Sequence, residues 1–152
     1  MIVVNNKTVG SELIGQKFTD AKYFTSRPSA IDYNPMPSGA SNLSVTSKEL
    51  KSRVQSNIAA FDSINQIPAS ESIPSEMLYA SGSGLDPHIS PQAALMQVNR
   101  ICKSRHLSET AKNRMEDLIS HSIEGRQLGF LGEERINVLK LNLELDKQFI
   151  VK

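Results

Sequence analysis

The sequence predicts an α+β fold, with about three helices packed with a small sheet of short strands. Apolar residues recur at helical spacing in separate windows, and β-favouring residues gather only in short runs. The helical windows also cluster instead of alternating with long strands, as a parallel sheet would require. With 152 residues the chain has the length of one ordinary domain and can bury a sizeable core without staples, so residues 1–152 are read as a single domain. No internal repeat is present.

From the N-terminus, Ile2-Val3-Val4 and Lys7-Thr8-Val9 are β-favouring runs joined by Asn5-Asn6. Asparagine tolerates the left-handed conformation of a tight turn, so these runs predict a small hairpin. Residues 13–18 are too short to classify, and residues 19–44 carry Pro28, Pro35, Pro37 and Gly39 with little periodicity. An irregular segment of that length is usually functional or mobile. Thr46-Ser47-Lys48-Glu49 reads as a capping box, with Val45 and Leu50 placed as a hydrophobic staple. Leu50, Val54, Ile58 and Phe61 follow at helical spacing, predicting a helix to about residue 64 with one buried stripe. Residues 66–75, with Pro68 and Pro74, form a connector, and Met77-Leu78-Tyr79-Ala80 reads as a short strand.

Beyond Pro91, the residues Ala94, Leu95, Val98, Ile101 and Cys102 mark one face of a helix ending near His106. Ser108 is placed to cap another, with Ala111, Met115, Leu118, Ile119 and Ser122 as its inward stripe and Gly125 as its stop. These two helices are expected to pair. Residues 135–145 are rich in Val, Ile and Leu, but their apolar phase slips from Ile136 and Val138 to Leu139, Leu141 and Leu143. That slip reads as a bulge or a strand buried on both faces.

Charged residues make up 22% of the chain and the formal net charge is +1, a balance that argues for neither nucleic acid nor an anionic membrane surface. Tryptophan is absent and aromatics are 5%, which removes the usual stacking platforms for single strands, so no nucleic-acid partner is expected. Cys102 is the only cysteine. An internal disulfide is therefore impossible, and the compartment is left open. No run of about 18 apolar residues occurs, and Met1-Ile2-Val3-Val4 runs at once into polar Asn5 and Asn6, so neither a membrane span nor a signal peptide is read.

The most constrained stretch is Ser81-Gly82-Ser83-Gly84-Leu85-Asp86-Pro87-His88-Ile89-Ser90-Pro91. Its glycines permit positive φ and close backbone approach. Its end is set by Pro87, which biases Asp86 away from the helical region, and by Ser90 as N-cap with Pro91 in the first helical turn. The Ser-Gly-Ser-Gly run lacks a phosphate-loop pattern and a following lysine, so a structural turn is the stronger reading. An anion could meet the free amides at Ser90, as at any helix start.

Ser81 or Ser83 with His88 and Asp86 could be written as a hydrolytic triad. No strand-to-helix elbow presents the serine, however, and Asp86 is expected to hold the turn while His88 bonds locally. His88, His106 and His121 lack zinc-ligand spacing, and Cys102 reads as a small core residue. Arg100, Lys103, Arg105 and His106 either meet an acidic partner or complement the end of a helix dipole. Gly125, Gly129 and Gly132 around Leu128, Phe130 and Leu131 match no dinucleotide fingerprint. They form either a turn anchored in the core or an exposed apolar docking surface.

Three blocks taken in order carry a resemblance: Tyr23-Phe24-Thr25-Ser26-Arg27-Pro28-Ser29-Ala30, the loop of residues 81–91, and Gly125-Arg126-Gln127-Leu128-Gly129-Phe130-Leu131-Gly132-Glu133 with Arg135-Ile136-Asn137-Val138-Leu139. With them the chain resembles the C subunit of the Kdp potassium-transporting P-type ATPase over about residues 9–146. The resemblance implies an accessory, non-catalytic subunit that assembles or stabilises the pump and that has been proposed to raise the ATP affinity of the ATP-hydrolysing subunit. Its partners would be that subunit and the potassium-translocating subunit. ATP and potassium would act there, with no cofactor or metal in this domain. Family members begin with a single transmembrane helix, absent from this sequence, so Met1 against a strand-like run is expected to mark a chain trimmed to its soluble part. The implied location is the plasma membrane, with this domain on the extracytoplasmic side. The motif loop and candidate interface comprise Ser81, Gly82, Ser83, Gly84, Asp86, Pro87, His88, Ser90, Arg126, Gly129, Phe130, Leu131 and Gly132. The alternative is a small stand-alone hydrolase using the Ser81 to His88 loop.

Overall fold

The computed structural model describes residues 1–4, 6–68 and 70–149. Strands β1 (Ile2–Val4) and β2 (Lys7–Gly10) pair antiparallel with Val4 opposite Lys7. This is the expected hairpin, and Asn6 takes the left-handed φ of 60°; Asn5 lies outside the described residues. Residues 11–47 then contain neither helix nor strand, which takes in the irregular segment expected over residues 19–44. Buried backbone needs partners all the same, and here they come from distant side chains. Asn142 brackets fully buried Phe24, its Oδ1 accepting from the Phe24 amide at 2.8 Å and its Nδ2 donating to the Phe24 carbonyl at 2.9 Å. The Gln97 Oε1 accepts from the Thr25 amide at 2.8 Å.

Helix α1 (Lys48–Asn65) starts later than the capping box implied, because Ser47 supplies the cap, its Oγ accepting from the Glu49 and Leu50 amides. The Thr46 hydroxyl is turned to Ser44 instead, and Val45 is 92% exposed, so no staple forms. The expected stripe is also incomplete. Phe61 is buried, Leu50 and Val54 are half-buried, and Ile58 is exposed. The helix is held by its C-terminal half, where Phe61 joins the core and Asn57 donates to the Leu78 carbonyl at 2.7 Å.

Four further expectations are corrected. Met77-Leu78-Tyr79-Ala80 is not a strand: a 3-10 turn at Ser75–Met77 closes its amides locally onto Pro74 and Ser75, leaving no free edge to pair. The helix expected from Pro91 to His106 is two, α2 (Pro91–Leu95) and α3 (Val98–Ser104). The break falls at Gln97, whose amide bonds the Ala94 carbonyl in a tightened i−3 pattern while its side chain turns to Thr25. Ala94, Val98, Ile101 and Cys102 are buried as expected, but Leu95 is not. Helix α4 (Glu109–His121) is capped by Ser108 as expected and buries Met115, Leu118 and Ile119, yet it ends through Ser122 amide bonds to Leu118 and Ile119 before Gly125 is reached. Finally, residues 135–145 are only briefly extended. The Asn137 side chain accepts from the Lys140 amide at 3.1 Å and starts helix α5 (Val138–Gln148). The slip of apolar phase was the joint between strand and helix.

Strand β3 (His88–Ile89) pairs antiparallel with β4 (Ile136–Asn137), so among the described residues the α+β fold carries two separate two-stranded sheets in place of the one small sheet expected. Phe24, Ile89, Ile101, Met115, Ile119, Ile136, Leu141 and Leu145 lie in one apolar cluster, with α4 packed against α2, α3 and α5. No helix among the described residues is long and apolar enough to cross a membrane.

Candidate functional site: a braced loop and an apolar hairpin

The loop of residues 81–90 is pinned from both sides. Ser81 is buried and its amide bonds the Pro28 carbonyl at 3.2 Å. The Gly84 carbonyl accepts from Ser29 Oγ at 2.8 Å, the Ser83 carbonyl from the Gly39 amide at 3.1 Å, and the Leu85 carbonyl from the Gly15 amide at 2.7 Å. Gly84 sits at φ +70°, and a Cβ there would stand 2.5 Å from Ile31 Cγ1 and 2.9 Å from the Gly39 carbonyl. Only glycine fits. Gly82 has nothing within 4 Å of such an atom.

Asp86 organises the far end. Its Oδ1 accepts from the His88 amide at 3.0 Å, holding the turn, and its Oδ2 receives Arg27 Nη1 at 2.8 Å. The Pro87 carbonyl accepts from the Val138 amide at 2.9 Å, which seats the start of α5 on the loop. His88 therefore lies between two carboxylates, with Nδ1 3.3 Å from Asp86 Oδ1 and Nε2 3.8 Å from Glu124 Oε2. Glu124 also meets Arg135 Nε at 3.3 Å and Lys140 Nζ at 3.4 Å, and Lys140 reaches Glu12 at 2.9 Å. The hydrogen bond between these last two holds the Glu12 carboxyl below its usual range and raises the Lys140 ammonium. Ser90 caps α2, its Oγ accepting from the Ala93 amide at 3.1 Å, with Pro91 at the first turn as expected.

The third block is a projecting hairpin. Glu124 and Arg135 exchange both backbone hydrogen bonds, at 2.8 and 3.1 Å, and Gln127 and Leu131 do the same at 2.8 and 2.9 Å. Leu128 at φ 54° and Gly129 at φ 81° turn the tip, and Gly132 at φ 79° follows. The tip presents Leu128 at 83%, Phe130 at 70% and Leu131 at 47% exposure, beside exposed Arg126. Where the three blocks meet, an open cleft of about 490 Å³ is lined by Arg27, Glu76, Asp86, His88, Ser90, Glu133, Glu134 and Arg135 among others. Neither serine of the supposed triad is bonded to His88: Ser83 Oγ accepts from the Leu85 amide, and Ser81 is buried.

The basic cluster near the end of α3 is divided by burial. Arg100 and Arg105 point inward, whereas Lys103 and His106 do not. Arg100 donates to the Ala21 and Tyr23 carbonyls, Asn65 Oδ1 and Gln97 Oε1. Burial pulls its guanidinium down to about 10, which leaves it charged at neutral pH. Arg105 reaches the Lys22 and Phe149 carbonyls and Asp146. These residues clamp the irregular segment and are not a patch for an acidic partner. Cys102 is buried in the helical core, which raises its thiol pKa.

Arg27, Glu124, Arg135 and Lys140 complete the site, although reasoning by motif did not single them out as site residues. Arg27 and Arg135 carried a signal, since each stands within a resemblance block. Glu124 and Lys140 carried none: their meeting depends on α5 being a helix.

A family model described as "K+-transporting ATPase, c chain" matches residues 1–147. The chain is 47% identical over 145 residues to the potassium-transporting ATPase KdpC subunit of Caldanaerobacter subterraneus subsp. tengcongensis, covering 95% of this chain and 74% of that one. It is likewise 47% identical over 148 residues to the KdpC subunit of Leptospira interrogans, covering 97% and 74%, and 46% identical over 143 residues to that of Bacillus cereus, covering 93% and 72%. A match of that extent, in a chain whose three motif blocks converge on one cleft, shows that it belongs to the KdpC family of potassium-transporting ATPase subunits.

Proposed function

We propose that the chain is an accessory, non-catalytic subunit that assembles or stabilises the pump by docking its apolar hairpin on the potassium-translocating and ATP-hydrolysing subunits. The observation that carries this reading is the trio Leu128, Phe130 and Leu131, exposed together on one tip whose backbone is hydrogen-bonded at its base. Single exposed apolar side chains are ordinary, but a group gathered on one hydrogen-bonded projection favours a partner surface, where aromatic anchors contribute most. The loop of residues 81–90 braces that projection from behind and is itself part of the interface. ATP and potassium act in the partner subunits, and this domain holds no cofactor. The domain sits at the plasma membrane on its extracytoplasmic side. A rise in ATP affinity would then be a coupling free energy transmitted through assembly and not a nucleotide site of its own. A photo-crosslinking residue placed at Phe130 in the assembled pump tests the reading. The expected result is an adduct with another pump subunit; an assembled pump that gives no such adduct overturns docking through the tip.

A further inference from the structure

Leu128 stands where turn chemistry calls for a different residue. The hairpin tip has two successive left-handed positions, Leu128 at φ 54° and Gly129 at φ 81°, and the Phe130 amide closes them onto the Gln127 carbonyl at 3.3 Å. Such a pair favours Asn-Gly or Gly-Gly, because the Cβ of most side chains crowds the backbone at positive φ. The conformation is imposed from below, since Gln127 and Leu131 exchange both backbone hydrogen bonds. The folded chain therefore carries this strain at its tip.

The other non-glycine residues of positive φ among those described have local reasons for it. Asn6, Asp32 and Asn42 are of the types that tolerate it. The Tyr33 hydroxyl is bonded to the Arg27 carbonyl. Gln66 and His106 follow α1 and α3, their amides bonding back to the Asp62 and Lys103 carbonyls, as left-handed residues at helix ends do. Leu128 has no polar group to bond locally, ends no helix and is 83% exposed, so the core does not use it. Folding alone would select asparagine or glycine here, and the demand for leucine lies outside the chain.

We propose, on the footing that the tip docks, that Leu128 is a dedicated anchor, seated in an apolar socket of another pump subunit that takes an aliphatic side chain from the end of a turn. The surroundings leave room for such a socket to close. A Cβ at Gly129 would have nothing within 4 Å, and Phe130 is 70% exposed, so the partner can reach the turn backbone on one side and the ring on the other.

Competition tests it. Unaltered and variant chains with different affinity tags are produced together with the other pump subunits, their ratio in the purified pump is read, and the melting temperature of each chain is measured alone. Leu128→Asn should be under-represented at least about tenfold. The same variant should melt about 1–4 °C higher than the unaltered chain, because it relieves the turn. Leu128→Met keeps an apolar side chain of similar volume and should be retained in the pump. A Leu128→Asn chain that is recovered on equal terms, or that does not melt higher, overturns the anchor, and so does equal exclusion of the Asn and Met variants. Phe130→Ser separates this from docking itself: if it is excluded while Leu128→Asn is not, docking through the tip stands and the anchor alone falls, whereas if neither is excluded both fall.

Discussion

Gly84 and Gly82 share a loop but differ in what they demand of it. At Gly84 any side chain meets Ile31 and the Gly39 carbonyl and must hold φ +70°. Gly84→Val should therefore cost at least about 2 kcal/mol, as backbone strain and overpacking together do, whereas Gly82→Ala should stay within about 0.5 kcal/mol. Urea denaturation of the two variants distinguishes them, and equal losses would refute the packing account. Glycine richness was legible in the sequence. Which glycine is obligatory was not, because that depends on Ile31 arriving from a segment without regular structure.

Tyr33 gives the residue scale a pH signature. Burial raises its phenol from 10.0 to about 12, and its hydroxyl donates to the Arg27 carbonyl. Below 10 the folded and unfolded chains both keep this proton. Between 10 and about 12 only the unfolded chain loses it, so stability falls with rising pH across that window. Tyr33→Phe should be less sensitive between pH 10 and about 12 than the unaltered chain, in the direction set by the linkage relation. An unchanged slope would mean that the ring is not protected in the folded state.

Among the elements, the irregular segment and α3 depend on each other. Arg100 and Arg105 replace a sheet partner for residues 21–23, and Gln97 and Asn142 do the same for Phe24 and Thr25. Arg100→Met keeps much of the apolar stem but orphans three acceptors, the Ala21 and Tyr23 carbonyls and Asn65 Oδ1, so a loss of about 2–4 kcal/mol is expected. Amide exchange should quicken over residues 20–26 before it does in α4. Uniform quickening would show that the clamp is not local. Gln97 was a legible warning, since a polar residue on the stripe of Ala94, Val98 and Ile101 must find a buried partner. Asn142 could be read the same way only after α5 was known to be a helix. There Ile136 belongs to a true two-residue strand and Val138 opens the helix, so a brief strand stood for the whole run, and the capping role of Asn137 was hidden in it.

For the whole molecule, the class of fold was legible because helix periods and short strands survive any tertiary arrangement. The pairing of β3 with β4 was not, since two residues on each side are too few to leave a periodic pattern. The three motif blocks were legible as a set, and the structure shows a physical reason: their residues brace one another through the Arg27 to Asp86 ion pair and the backbone pairing of His88 with Asn137. What they brace is an apolar tip that the core of this chain does not use.

The most direct measurement on that account is recovery of the other pump subunits with the chain carrying Phe130→Ser, purified from membranes beside the unaltered pump, with the melting temperature of each chain determined alone. Because Phe130 is 70% exposed, the account predicts a stability change within about 0.5 kcal/mol. It predicts at the same time at least a tenfold loss of association, about 1.4 kcal/mol. Undiminished recovery of the partner subunits would contradict it, and so would a loss of about 3 kcal/mol in the isolated chain, the mark of an aromatic taken from a core.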